Sequence, residues 1–156
     1  MKKLVALILV AVMCLSLAAC YEPPKQDKSM KDIEAAINTL PKDSYLIETT
    51  DYLWDADLDI ELNGEANIKY LVYEAVMVDG ELVASDHNMP LLRSCEIIVF
   101  EFEFKEDAES FAQYMAQTLE LYKSEDADGI LPDWIIKAGE DFVVMAKDQQ
   151  NLDMIW

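Results

Sequence analysis

The sequence predicts an α+β domain, a mostly antiparallel sheet with two main helices on one face. Three observations carry that prediction. Runs of β-branched and aromatic residues recur at short spacing, separated by the turn pairs Asn63-Gly64, Asp79-Gly80 and Gly139-Glu140. Two other segments, Ile33 to Leu40 and Ala108 to Tyr122, repeat their apolar residues at helical spacing. The resulting order, α-β-β-β-β-α-β-β, surrounds one β-α-β crossover with hairpins, and helices in such chains pack against an antiparallel sheet.

Each element has a local reason. Ser29 occupies an N-cap position with Asp32 three residues on, and Ile33, Ala36, Ile37 and Leu40 form an apolar face before Pro41 stops the helix. Tyr45 to Thr50 is aromatic and β-branched and reads as a strand. Asp55 to Leu62 alternates acid and apolar residues, so that on a strand Asp55, Asp57, Asp59 and Glu61 share one face. Asn63-Gly64 is a preferred type I′ hairpin pair, and Asn67 to Val78 is the returning segment. Ile68, Leu71, Val72, Ala75 and Val76 also fit a helical period, but the flanking turns favour a strand. Asp79-Gly80 repeats the hairpin signal into Glu81 to Ala84, and Ser85 to Pro90 is a polar loop.

Cys95 to Phe104 gives the clearest strand, with Ile98, Phe100, Phe102 and Phe104 on one face and Val99, Glu101 and Glu103 on the other. Glu106 and Asp107 open the long helix, where the helix dipole favours negative charge. Its core stripe is Ala108, Phe111, Ala112, Met115, Leu119 and Tyr122, with Lys123 in the last turn. After an acidic loop from Ser124 to Gly129, Trp134 to Lys137 and Phe142 to Met145 form a last hairpin, and Asp148 to Trp156 adds a short amphipathic helix. A ferredoxin-like sandwich is the named topology that fits this order best. The segments CEIIVFEFEFKEDAESFAQYM and AGEDFVVMAKDQQNLDMIW loosely resemble small exported bacterial proteins of unassigned function, with a strand, an E-D-A-x-x-F helix and a closing Val-Val strand. That resemblance implies the fold and no chemistry.

The N-terminus is of a different kind. Met1-Lys2-Lys3 is a short positive region, and Leu4 to Leu15 is an unbroken apolar stretch of 12 residues. In a helix it spans about 18 Å, short of the roughly 30 Å hydrocarbon core of a bilayer, so it reads as a secretory signal and not as a spanning helix. The segment closes on Leu17-Ala18-Ala19-Cys20, which resembles the lipobox of bacterial lipoproteins. The resemblance implies cleavage between Ala19 and Cys20, diacylglycerol on the Cys20 thiol, further acylation with fatty acids such as palmitate, and retention at the extracytoplasmic face of the cell membrane. Residues 1–19 are then a signal peptide, residues 20–28 the lipidated cysteine with a polar tether containing Pro23 and Pro24, and residues 29–156 a single domain. Proline keeps such a tether extended.

Composition separates along the same line. The whole chain carries 31 acidic and 12 basic residues, a net charge of −19. Two of the lysines leave with the leader, so the remaining 137 residues carry a charge of −21. So anionic a surface argues against nucleic-acid binding, which depends on cations at phosphates. Three cysteines reduce to one: Cys14 lies in the leader, Cys20 takes the lipid, and Cys95 has no partner for an intramolecular bridge. Its apolar surroundings give Cys95 the role of a small buried hydrophobe.

Candidate chemistry is sparse. The acids Asp55, Asp57, Asp59 and Glu61 suggest a divalent-cation site. Counted from Asp55, however, an EF-hand would need glycine at Ile60 and glutamate at Ala66, so the motif fails and a solvated, charge-defended strand face is the simpler reading. His87 is the only histidine, which excludes multi-histidine zinc sites, and no Gly-x-Ser-x-Gly elbow accompanies it. Trp54, Trp134 and Tyr70, with Tyr52 and Trp156, form a ligand-stacking patch if they converge on one surface; otherwise they are core residues. No cofactor is expected. The expectation is therefore a lipid-anchored extracytoplasmic protein with an acidic, non-catalytic domain that binds a protein, peptide or cationic ligand. The alternative is a calcium- or zinc-dependent module or enzyme assembled around His87 and the acid ladder.

Overall fold

The structure, a computed structural model, describes residues 28–53, 60–85, 91–125 and 132–156. Its elements are α1 (Met30–Asn38), β1 (Tyr45–Leu53), β2 (Ala66–Val78), β3 (Glu81–Ala84), α2 (Leu91–Ser94), β4 (Cys95–Phe102), α3 (Lys105–Glu125), β5 (Ile135–Ala138), β6 (Phe142–Ala146) and α4 (Gln149–Ile155). The strands make one antiparallel sheet in the order β1-β2-β4-β6-β5, with β3 paired to the far end of β2. The fold is α+β.

The helices divide between the two faces of this sheet, which corrects the expectation that both main helices share one. Ala108, Phe111, Met115 and Leu119 of α3 pack with Ile68, Ile98, Phe100, Phe102, Val143 and Met145. Met30, Ile33 and Ile37 of α1 and Leu152 and Ile155 of α4 pack with Val72, Ile97, Val99, Phe142, Val144 and Ala146 on the opposite face. Successive residues of β4 and β6 thus enter different cores, and β6 is buried along its whole length. A strand apolar on both faces must be covered on both. Three aromatic rings centre the α3 face, with Phe111 at 4.7 Å from Phe100 and 5.1 Å from Phe102.

The connection β4–α3–β5 makes two parallel strands with β6 inserted between them, the split β-α-β unit of a ferredoxin-like sandwich. The likeness stops at β6, because α4 leaves it for the face opposite α3. Glu96 fixes α4 in place, accepting from Lys147 Nζ at 2.7 Å and from Asn151 Nδ2 at 2.8 Å.

Local signals act largely as expected at the helix starts. The Asp32 carboxylate accepts from the Ser29 N–H at 2.9 Å and Oγ at 2.7 Å, closing the first turn of α1. Asp148 caps α4 by accepting from the Asn151 N–H at 2.8 Å. Asp79 (φ 52°) and Gly80 (φ 88°) are the only described residues at positive φ, as a type I′ turn between β2 and β3 requires.

Three local expectations are corrected, and a fourth lies largely outside the described residues. Asn63-Gly64 forms no two-residue hairpin turn, since neither residue has positive φ and β2 begins only at Ala66. Of the alternating segment Asp55 to Leu62, residues 60–62 are irregular, and residues 55–59 lie outside the described residues. Strand β4 ends at Phe102, leaving Phe104 exposed, and Tyr122 faces solvent at the end of α3. The short helix α2 has too few residues to show a period.

Candidate functional site

The described aromatic candidates do not converge. Trp134 is buried in the α3-side core, and its Nε1 donates to the Leu92 carbonyl at 3.2 Å, tying the entry of β5 to α2. Tyr70 packs on the opposite face, its hydroxyl donating to Glu34 Oε1 at 3.1 Å. Burial, then the hydrogen bond and charge of Glu34, push the Tyr70 phenol above its usual pKa. Trp156 shares that face, 5.9 Å from Phe142, with Lys137 Nζ at 4.9 Å over its ring. These side chains belong to two cores separated by the sheet. Trp54 and the side chain of Tyr52 lie outside the described residues.

Asp55, Asp57, Asp59 and His87 also lie outside the described residues, while Glu61 is exposed on an irregular segment. Among the described residues, no three His, Cys, Asp or Glu side chains are grouped to hold a metal ion. Glu65, Asn67, Glu101, Phe102 and Glu103 line a shallow cavity of about 240 Å³, with Lys69 Nζ at 3.2 Å from Glu101 Oε2. Three carboxylates on its wall give this hollow the acidic character of the surface as a whole.

Cys95 is fully buried opposite Tyr73 on the neighbouring strand. Burial pushes its thiol up to about 11, and hydrogen bonds with Tyr73 and Ser94 offset that only in part. A thiol protonated at neutral pH and closed to solvent packs as a small apolar side chain.

Two features carry no sequence motif. The first is Asp107, 1% exposed in the first turn of α3. It accepts from the Asn63 N–H at 2.9 and 3.0 Å, from Asn63 Nδ2 at 2.8 Å and from the Gly64 N–H at 2.8 Å. Burial alone would raise its pKa, but these bonds outweigh it and hold the carboxyl below the usual range. The second is the arm formed by β3 and the end of β2. Val76, Met77 and Val78 are 42%, 65% and 49% exposed, and the acids Glu74, Asp79 and Glu81 are exposed around them. The signal for this arm was the Val-Met-Val run directly before the Asp79-Gly80 turn, an apolar stretch at the end of a strand pair.

No protein-family model, curated protein or solved structure matches this chain.

Proposed function

We propose that this chain is a bacterial lipoprotein, held at the extracytoplasmic face of the cell membrane by diacylglycerol on Cys20, and that residues 29–156 form an acidic, non-catalytic domain that binds a protein, peptide or cationic ligand. One observation carries the reading: an apolar segment of 12 residues behind two lysines, closing on Leu17-Ala18-Ala19-Cys20. Several acyl chains make a durable anchor where a single chain binds only marginally.

The placement of the folded domain supports it. Among the described residues, packing starts at Met30, which is buried against α4, and the Lys28 ammonium donates to the Ile155 carbonyl at 3.1 Å. The backbone between Cys20 and Met30 reaches at most about 35 Å when fully extended, so the domain works close to the bilayer surface. A charge of −21 keeps it off anionic headgroups and draws cationic partners toward it.

Fractionation of cells expressing the native chain and Cys20→Ala tests the anchor. The native protein is expected in the membrane fraction with the added mass of the lipid, and the variant without that mass; a variant that stays in the membrane at the same mass as the native protein contradicts the reading.

A further inference from the structure

We propose that the β2–β3 arm is the docking edge of this domain and that it takes an extended peptide segment with alternating apolar and basic side chains. The inference rests on the reading of the domain as a binding module and assigns it a surface.

Backbone geometry supplies the edge. The Ser85 N–H donates to the Glu74 carbonyl at 2.9 Å, which puts β3 on one side of β2. The Ala75 N–H donates to the Ser44 carbonyl at 2.9 Å, which puts the start of β1 on the other. Peptide groups alternate sides along an antiparallel strand, so Val76 and Val78 bond toward β3 while the N–H and C=O of Met77 face the side of β1. Strand β1 begins at Tyr45, opposite Glu74, and does not extend alongside Met77. The row that β1 occupies beside β2 therefore ends before the arm does. Among the described residues the arm of β2 has a strand partner on one side only, and such a strand is a template for an added one.

Side chains and charge select the occupant. Val76 and Val78 lie on one face of the arm and Met77 on the other, so an added strand meets apolar surface on both faces. The rim is acidic, from Glu74, Asp79 and Glu81. A second copy of the chain would bring these acids against their own kind, and like charges across strands are destabilising. An anionic bilayer repels them for the same reason. A segment bearing lysine or arginine beside apolar residues matches both the rim and the apolar surface.

The test uses the full mature chain and a fluorescent, end-blocked hexapeptide of alternating valine and lysine, titrated by anisotropy at low salt. Saturable binding is expected. Met77→Ser, which removes the apolar side chain without adding charge, is expected to weaken it by about tenfold or more, the effect of spoiling a central apolar anchor. The pair Val76→Thr and Val78→Thr, which keeps strand propensity, is expected to weaken it as well. Melting curves check that both variants fold. N-methylation of every backbone amide of the peptide, which removes the donors of both strand edges without changing charge, is expected to abolish binding. Unchanged affinity in Met77→Ser, or for the N-methylated peptide, overturns the arm as the site and leaves the binding-module reading standing. An all-lysine hexapeptide separates the remaining outcomes. If it binds and the valine-lysine peptide binds no better, the arm alone falls; if neither binds, the binding-module reading falls with it.

Discussion

Asp107 grips Asn63 from 44 residues away in sequence, taking the Asn63 backbone N–H on both carboxylate oxygens and its side-chain amide at 2.8 Å. With the Gly64 N–H as a further donor, the buried carboxylate at the start of α3 organises the irregular segment that leads into β2. The Asn63-Gly64 pair is held in this way, with neither residue at positive φ, in place of the hairpin turn its residue types predict.

Removing that carboxylate leaves buried donors without an acceptor. Asp107→Ala is expected to cost about 2–4 kcal/mol, because unsatisfied buried groups lose their full solvation. Asn63→Ala keeps both backbone donors and is expected to cost about 1 kcal/mol. Urea denaturation of the two variants against the native chain checks the order.

The same site sets a pH dependence. The folded pKa of Asp107 is lowered from the ordinary 3.8, so its contribution is present above that value and is lost as pH falls through the folded pKa. Native stability is therefore expected to drop as the medium is acidified below about pH 4. Asp107→Asn, less stable at neutral pH, is expected to show a flatter profile over that interval. Thermal melts at stepped pH read both curves.

Gly139 is required for a different reason. A Cβ at this position would lie 2.2 Å from the ring of Phe142, a fully buried side chain held against Trp156. The ring cannot move aside without disturbing the core under α1 and α4. Gly139→Ala is expected to destabilise by roughly 2 kcal/mol or more, as overpacking does; a melting temperature equal to the native one would contradict this.

Cys95 is expected to resist iodoacetamide at pH 8 in the folded domain and to react once the domain is unfolded in urea. Its burial and its pKa of about 11 both suppress the thiolate. Mass spectrometry of the alkylated chain distinguishes the two states.

Much of the fold was legible because its signals are local. The cap at Ser29, the stripe of α3, the Asp79-Gly80 turn and the capped α4 each depend on residues a few positions apart. The division of the helices was also written in the sequence, in the unbroken apolar run of Phe142–Ala146 and in Ile97 to Phe100, since strands buried on both faces do not alternate. Reading only the phenylalanine face of β4 hid it. The fate of Asn63-Gly64 was not legible, because a tertiary acceptor decided it and the pair's own preference did not. The separation of Trp134 from Tyr70 was hidden on the same ground, because strands whose faces only the sheet register separates place them.

We propose that the mature chain begins at a lipidated Cys20, and the intact mass of the protein purified from membranes decides this. The mass expected is that of residues 20–156 plus diacylglycerol and further acyl groups, with the added mass confined to the N-terminal peptide. A protein whose mass equals an unmodified polypeptide, with the leader retained or with cleavage elsewhere than before Cys20, would contradict it.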